Sequence, residues 1–189
     1  FLGVLFLCLW KGPGRWAGLP FALAVLLWPR PPVPDVWVAP EGQAVAVVRD
    51  AEALSLRPAA AAFATDVWAR RRGLTPPDDP DAALAEAFDC DRFSCAPKPG
   101  FRPRVAAWFG RKAPDAERLA ELCGSAELVI SRAPLNVSPP ACSRTLVLDA
   151  RDLSRTGALE IEVRPDAFAI WTAAEARGER PWTRLSPAQ

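Results

Sequence analysis

The stretch Pro114–Ser131, PDAERLAELCGSAELVIS, followed after a proline-rich loop by Thr145–Asp149, TLVLD, decides the fold class. Pro114 near a first helical turn, Asp115 and Glu117 within it, Leu119 and Leu122 on one face, and Gly124 at the far end predict a helix over Pro114–Cys123 capped by that glycine. Glu127–Ser131 follows at once as a short apolar run and predicts a strand; Thr145–Asp149 predicts another. Helix, strand, loop, strand indicates an α/β layer with buried apolar strands. Asp149 and Asp152 lie just after the second strand, where sites form in such layers. With no other site component in view, a helix N-cap is the plainer role.

Toward the N-terminus, Asp35–Ala39, Ala44–Val48 and Ala53–Leu56 read as a β-meander with Pro40–Gln43 as its first turn. Pro58–Arg72 switches to helical character, with Phe63, Val67 and Trp68 on one apolar face and Gly73 as the stop. Arg70, Arg71 and Arg72 complement the dipole at that helix end. With Trp68 they are also the candidate phosphate and base contacts. Thr75–Asp81 reads as a loop and Ala82–Phe88 as a short helix. Asp78, Asp79, Asp81, Asp89 and Asp91 lack the regular spacing of a calcium loop and read as solvated. Phe93–Ala96 and Arg104–Phe109 predict a hairpin across Pro97–Pro103. Toward the C-terminus, Leu153–Gly157 predicts a helical turn, and Ala158–Val163 with Ala167–Thr172 a hairpin. The class is therefore α+β: a mixed sheet domain with a few helices over residues 35–173, then a polar tail over 174–189.

Ahead of this domain stand two apolar runs, FLGVLFLCLW (Phe1–Trp10) and WAGLPFALAVLLW (Trp16–Trp28), separated by Lys11-Gly12-Pro13-Gly14-Arg15. As a helix the second run spans about 20 Å at 1.5 Å per residue, short of the roughly 30 Å hydrocarbon core. Trp10, Trp16 and Trp28 mark the run ends, where amphipathic rings prefer the headgroup layer. Residues 1–28 are therefore expected to be the end of a polytopic membrane region, a helical hairpin with its first arm truncated. A signal peptide or a buried soluble hairpin are the competing readings. Lys11 and Arg15 place the connection on the cytoplasmic side, which puts everything after Trp28 outside the cytoplasm. Residues 29–34, PRPPVP, form a stiff linker.

The chain has no His among its 189 residues, and a net charge of +1. Without imidazole there is no Ser-His-Asp triad and no His-bearing metal site, so no catalytic, cofactor or metal residues are assigned. The excess of Arg over Lys, with abundant Ala and Pro, reads as GC-rich coding bias. Of five cysteines, Cys8 lies in an apolar run. The others form two local groups, Cys90 with Cys95 and Cys123 with Cys142. In an extracytoplasmic compartment these read as disulfides; free buried thiols and a metal site remain open, the latter against the usual zinc spacing.

The order of features carries a resemblance. It runs through PRPPVPDVWVAPEGQAVAVV, FATDVWARRRGL, FDCDRFSC, RLAELCGSAELVISRAPLNVSPPACSRTLVLDARDL, GALEIEV and GERPW. This resembles the C-terminal portion of ComEC-type competence proteins in their alphaproteobacterial form. The resemblance implies an inner-membrane channel passing single-stranded DNA into the cytoplasm during natural transformation, with this domain in the periplasm. In many members the corresponding domain resembles a metallo-β-lactamase with an H-x-H-x-D-H signature. No position here carries those ligands, so the expected module is a degenerate or replaced version, structural or DNA-guiding, and not an enzyme. The partners it implies are membrane lipid, single-stranded DNA, the upstream channel region and other competence proteins. The alternatives are a membrane-anchored interaction module without a DNA role, and a hydrolase working through Asp149 and Asp152.

Overall fold

The computed structural model describes residues 2–9, 11–24, 27 and 32–178. The chain divides into two compact units, Phe1–Pro32 and Val33–Gln189.

In the first unit, α1 (Leu2–Leu9) is followed by a 3-10 turn over Pro13–Ala17 and by α2 (Gly18–Ala24), and the two helices lie against each other. Gly12, Pro13 and Gly14 stop continuous helix between them, while Pro20 falls in the first turn of α2, where its missing N–H costs little. Among the described residues no helix is long and apolar enough to cross a membrane. The expected membrane passages therefore correspond here to a pair of short apolar helices. Trp16 sits in the 3-10 turn and stands exposed. Trp10, Trp28 and positions 29–31 of the linker lie outside the described residues, as do positions 179–189 of the tail.

The second unit is α+β, built as helix, sheet, sheet, helix. Its elements are β1 (Val36–Val38), β2 (Val45–Arg49), β3 (Glu52–Ser55), α3 (Ala62–Arg72), α4 (Pro80–Ala87), β4 (Phe88–Cys90), β5 (Ser94–Pro97), β6 (Val105–Trp108), α5 (Ala116–Ser125), β7 (Leu128–Ser131), β8 (Leu146–Leu148), α6 (Ala150–Thr156), β9 (Leu159–Val163), β10 (Phe168–Thr172) and α7 (Ala173–Arg177). One sheet, ordered β10-β9-β1-β2-β3, is antiparallel throughout. The other, β4-β5-β6-β7-β8, is antiparallel at β4-β5-β6 and parallel at β6-β7-β8.

Strand alternation explains the layering. Val36 and Val38 face inward while Trp37 faces outward; Val105 and Ala107 face inward while Ala106 faces outward; Leu128 and Ile130 alternate likewise with Val129. The inward set packs the two sheets together, with Leu54, Leu56, Phe88, Leu153, Leu159 and Ile161. The outer face of the first sheet is covered by Trp68 and Ala69 of α3. The outer face of the second is covered by Leu119, Leu122 and Cys123 of α5 together with Cys142. Gly42 has φ +64°, and a Cβ there would meet Leu153 Cδ1 at 2.8 Å, so the turn after β1 needs glycine to let α6 close on it.

Four expectations are corrected. The helix expected from Pro58 begins at Ala62, after Ala61 in a left-handed conformation. Its buried residues are Thr65, Trp68 and Ala69, whereas Phe63 is 81% exposed; the facing surface of alanines and Trp37 selects that side of the helix. In α5, Asp115 rather than Pro114 opens the helix, accepting from Arg118 N at 2.7 Å. Gly124 stays inside α5, because the Arg104 guanidinium satisfies the terminal carbonyls of Gly124 and Ser125. The strands expected over Phe93–Ala96, Arg104–Phe109, Glu127–Ser131 and Thr145–Asp149 form within a residue or two of those bounds.

Both disulfides form: Cys90–Cys95 between paired positions of β4 and β5, and Cys123–Cys142 between α5 and the 3-10 turn Pro140–Arg144. Cys8 is free. Cys123 and Cys142 are 19 residues apart, and closing a loop of that length constrains the unfolded chain by about 3 kcal/mol. The Cys123→Ala/Cys142→Ala double variant is expected to lose about that much stability, read from urea midpoints under non-reducing conditions. No change in the midpoint would mean the bridge does not brace the fold.

Candidate functional site

The residues singled out by the sequence fall at two places. At the first, Trp68 is 7% exposed and stacks on Trp37 with ring centroids 5.5 Å apart. Its Nε1 donates to Glu160 Oε1 at 2.7 Å. Arg72 Nε donates to the same oxygen at 3.0 Å, and its Nη2 pairs with Glu160 Oε2. One carboxylate from β9 thus receives three donors from α3. Arg70 pairs with Asp66 one turn earlier at 2.9 Å. Arg71 is exposed and has no ion-pair partner among the described residues. The fold brings Trp68 and Arg72 together, but turned onto Glu160, so the triplet presents one uncompensated cation. That is a weak attraction for a polyanion, whose binding grows with the number of phosphates neutralised.

Beside these residues runs a groove of about 770 Å³, with Phe63 and Val67 on the α3 wall, Trp171 opposite and Trp37, Trp68 and Glu160 among its lining. Phe63, Val67 and Trp171 are all exposed.

The second place is the carboxyl end of the parallel strands. Asp149 Oδ1 accepts from Arg151 N at 2.7 Å and Asp152 N at 3.3 Å, and Oδ2 accepts from Leu135 N at 2.8 Å. Asp152 Oδ2 in turn accepts from Asp149 N at 3.1 Å, completing a capping box for α6. Burial by itself raises the Asp149 pKa; the backbone N–H groups of Leu135, Arg151 and Asp152, with the Arg151 cation, outweigh it and hold the carboxyl below its ordinary value. A carboxylate saturated in this way is an anchor and is poorly placed to take a proton from water. Among the described residues, no group of three or more His, Cys, Asp or Glu could hold a metal ion.

The acidic loop residues are similarly engaged where they matter. Asp79 caps α4 through Ala82 N at 3.0 Å. Burial pushes Asp91 up, but the N–H groups of Phe93 and Ser94, the Ser94 hydroxyl and Arg118 hold it below its ordinary value. One group escaped the sequence reading: Arg57, Arg92, Arg111, Lys112 and Arg132, widely dispersed along the chain, gather at one end of the sandwich. Linear spacing carries no signal of that juxtaposition.

Two outcomes follow from this geometry. Glu160→Ala leaves the Trp68 indole N–H and the Arg72 guanidinium without their acceptor, and is expected to cost about 2 kcal/mol in a urea titration; a cost near zero would show that water replaces the carboxylate. For Asp149, a folded-state pKa below the unfolded value of about 3.9 gives stability that is present above that value and lost as pH falls through the lower folded value. Asp149→Asn removes that titration. Its unfolding free energy is expected to fall less steeply than wild type below about pH 4, and an identical acid limb would reject the assignment.

No family model, curated protein or solved structure matches the chain, so its function rests on the geometry and on the resemblance of its sequence pattern.

Proposed function

We propose that the chain belongs to a ComEC-type channel for single-stranded DNA, and that Val33–Gln189 is its non-catalytic extracytoplasmic domain. The observation that carries the non-catalytic reading is the reciprocal capping of Asp149 and Asp152: the carboxylates at the strand ends are spent on holding α6. They are the residues a hydrolase in this chain would have used. The two disulfides support an oxidising compartment. The exposed Leu5, Leu9, Leu19 and Leu23 on α1 and α2 support contact of the first unit with lipid or with an upstream channel region. The sheet-and-helix architecture is compatible with a degenerate or replaced metallo-β-lactamase-like module.

A second reading, an interaction module without a DNA role, draws on one observation: the apolar groove of Phe63, Val67 and Trp171. Removing residues 33–178 from the protein in its source organism separates the two. Loss of labelled-DNA uptake is expected for a channel domain; undiminished uptake, with crosslinks from Phe63 to other envelope proteins, would favour the module. Purified chain is expected to leave single-stranded DNA intact in Mg²⁺ or Mn²⁺. Cleavage that Asp149→Asn abolishes would restore the hydrolase.

A further inference from the structure

We propose that the end of the sandwich formed by the loops after β3, β6 and β7 and the β4–β5 turn is a binding surface for single-stranded nucleic acid. This inference rests on the DNA-channel reading and gives it a location that the Arg70–Arg72 triplet does not supply.

Its cations come from four separate loops. Arg57 follows β3, Arg92 lies at the β4–β5 turn, Arg111 and Lys112 follow β6, and Arg132 follows β7. Backbone hydrogen bonds join these loops. Phe109 N donates to Phe93 O at 2.6 Å and Arg132 N to Trp108 O at 2.8 Å. Trp108 Nε1 donates to Lys112 O at 2.8 Å, folding the loop after β6 back onto the indole. The close approach needs Gly110, where a Cβ would lie 2.8 Å from the Trp108 ring. Arg57 Cζ stands 5.1 Å from the Phe109 ring and Arg92 Cζ 5.2 Å from the Phe93 ring.

Electrostatically this surface differs from the helix triplet. Arg92, Arg111 and Lys112 are exposed and Arg57 and Arg132 half-buried, and none of the five has a carboxylate partner among the described residues. The acids at this end are Asp91, already paired with Arg118 at 2.6 Å, exposed Glu41, next to the Gly42 that approaches Arg132, and Asp149 with Asp152, engaged in the capping box of α6, Asp149 also accepting from Leu135 N in the loop after β7. The five cations outnumber these acids, one of which already has an arginine partner, in a chain whose net charge is only +1.

The aromatic content selects the form of polyanion. Phe93 is 46% exposed, and its ring centroid lies 5.9 Å from that of the half-buried Trp108. An exposed ring with an arginine on it and further cations on the neighbouring loops can stack an unpaired base while the cations hold its phosphates. In a duplex the base faces are already stacked on each other, so only the phosphate term remains.

The test uses the full chain in a non-ionic detergent and fluorescence anisotropy of a labelled oligothymidylate of roughly 16 nucleotides. Wild type is expected to bind with an affinity that falls linearly on a log–log salt plot. Arg111→Ala/Lys112→Ala, whose side chains hold nothing in the fold, is expected to bind roughly tenfold or more weakly, with a slope shallower by about 1.4 for two phosphate contacts on a single strand. Phe93→Ala is expected to weaken binding roughly tenfold with the slope unchanged, and Arg70→Ala/Arg71→Ala to bind as wild type. Edge variants that bind like wild type would overturn the surface while leaving the uptake reading to its own cellular test. Equal binding of duplex and single strand with Phe93→Ala silent would overturn the stacking role. Absence of any binding by wild type would overturn the surface outright. Thermal unfolding of each variant distinguishes lost contacts from lost fold.

Discussion

The apolar layer between the two sheets is the constraint on which the second unit depends. Val36, Val38, Val45 and Val47 on one side, and Val105, Ala107, Leu128 and Ile130 on the other, are fully buried. The strands are only three to five residues long, too short to be stable as isolated hairpins. Each fully buried aliphatic side chain contributes about 1.5–3 kcal/mol, and the contributions combine because both sheets supply the same layer. Once this layer is set, alternation sends Trp37, Ala106 and Val129 to the outer faces, and those faces require cover. Helices α3 and α5 provide it.

The polar groups then divide according to what the cover leaves them. Glu160 lies opposite Trp37 across the β1–β9 pairing, so α3 can close on the sheet only by giving that carboxylate donors, and Trp68 with Arg72 supplies them. Asp149 ends β8 and begins α6, where three backbone N–H groups claim its oxygens. In both places a residue that could have served chemistry is consumed by architecture. At the same carboxyl end, the loops after β6 and β7 carry arginines with no carboxylate partner among the described residues, and the half-exposed Phe93 stands beside Arg92. Charge that is uncompensated, exposed and gathered by several loops is free for a ligand in a way that charge locked into a helix-to-sheet contact is not.

Much of this was legible in the linear pattern. The alternation VWV in Val36–Val38, the apolar LVIS of Leu128–Ser131 and the D-x-x-D spacing of Asp149 and Asp152 each report a local rule that the fold obeys. The cysteine pairs were legible for the same reason, since each lies within a short stretch of chain. What misled was a face: Phe63, Val67 and Trp68 share helical spacing, but only Trp68 is buried. Helical periodicity names a stripe, and the partner surface decides which edge of that stripe it covers. Gly124 misled similarly, because a distant arginine caps the helix end that a glycine ordinarily closes.

The sequence by itself determined the α+β class, the order of most elements, the two local groups of cysteines and the lack of any imidazole chemistry, because these depend on residue type and short-range spacing; β4 and α7 were not among the elements it marked. The tertiary structure alone decided which arginines are neutralised and which stand free. Arg72 meets a carboxylate 88 residues away, and Arg57, Arg92, Arg111, Lys112 and Arg132 come to one end of the sandwich only through the closing of four loops there. Electrostatic attraction depends on distance in space, and for residues this far apart in the chain that distance is set by the packing of the two sheets.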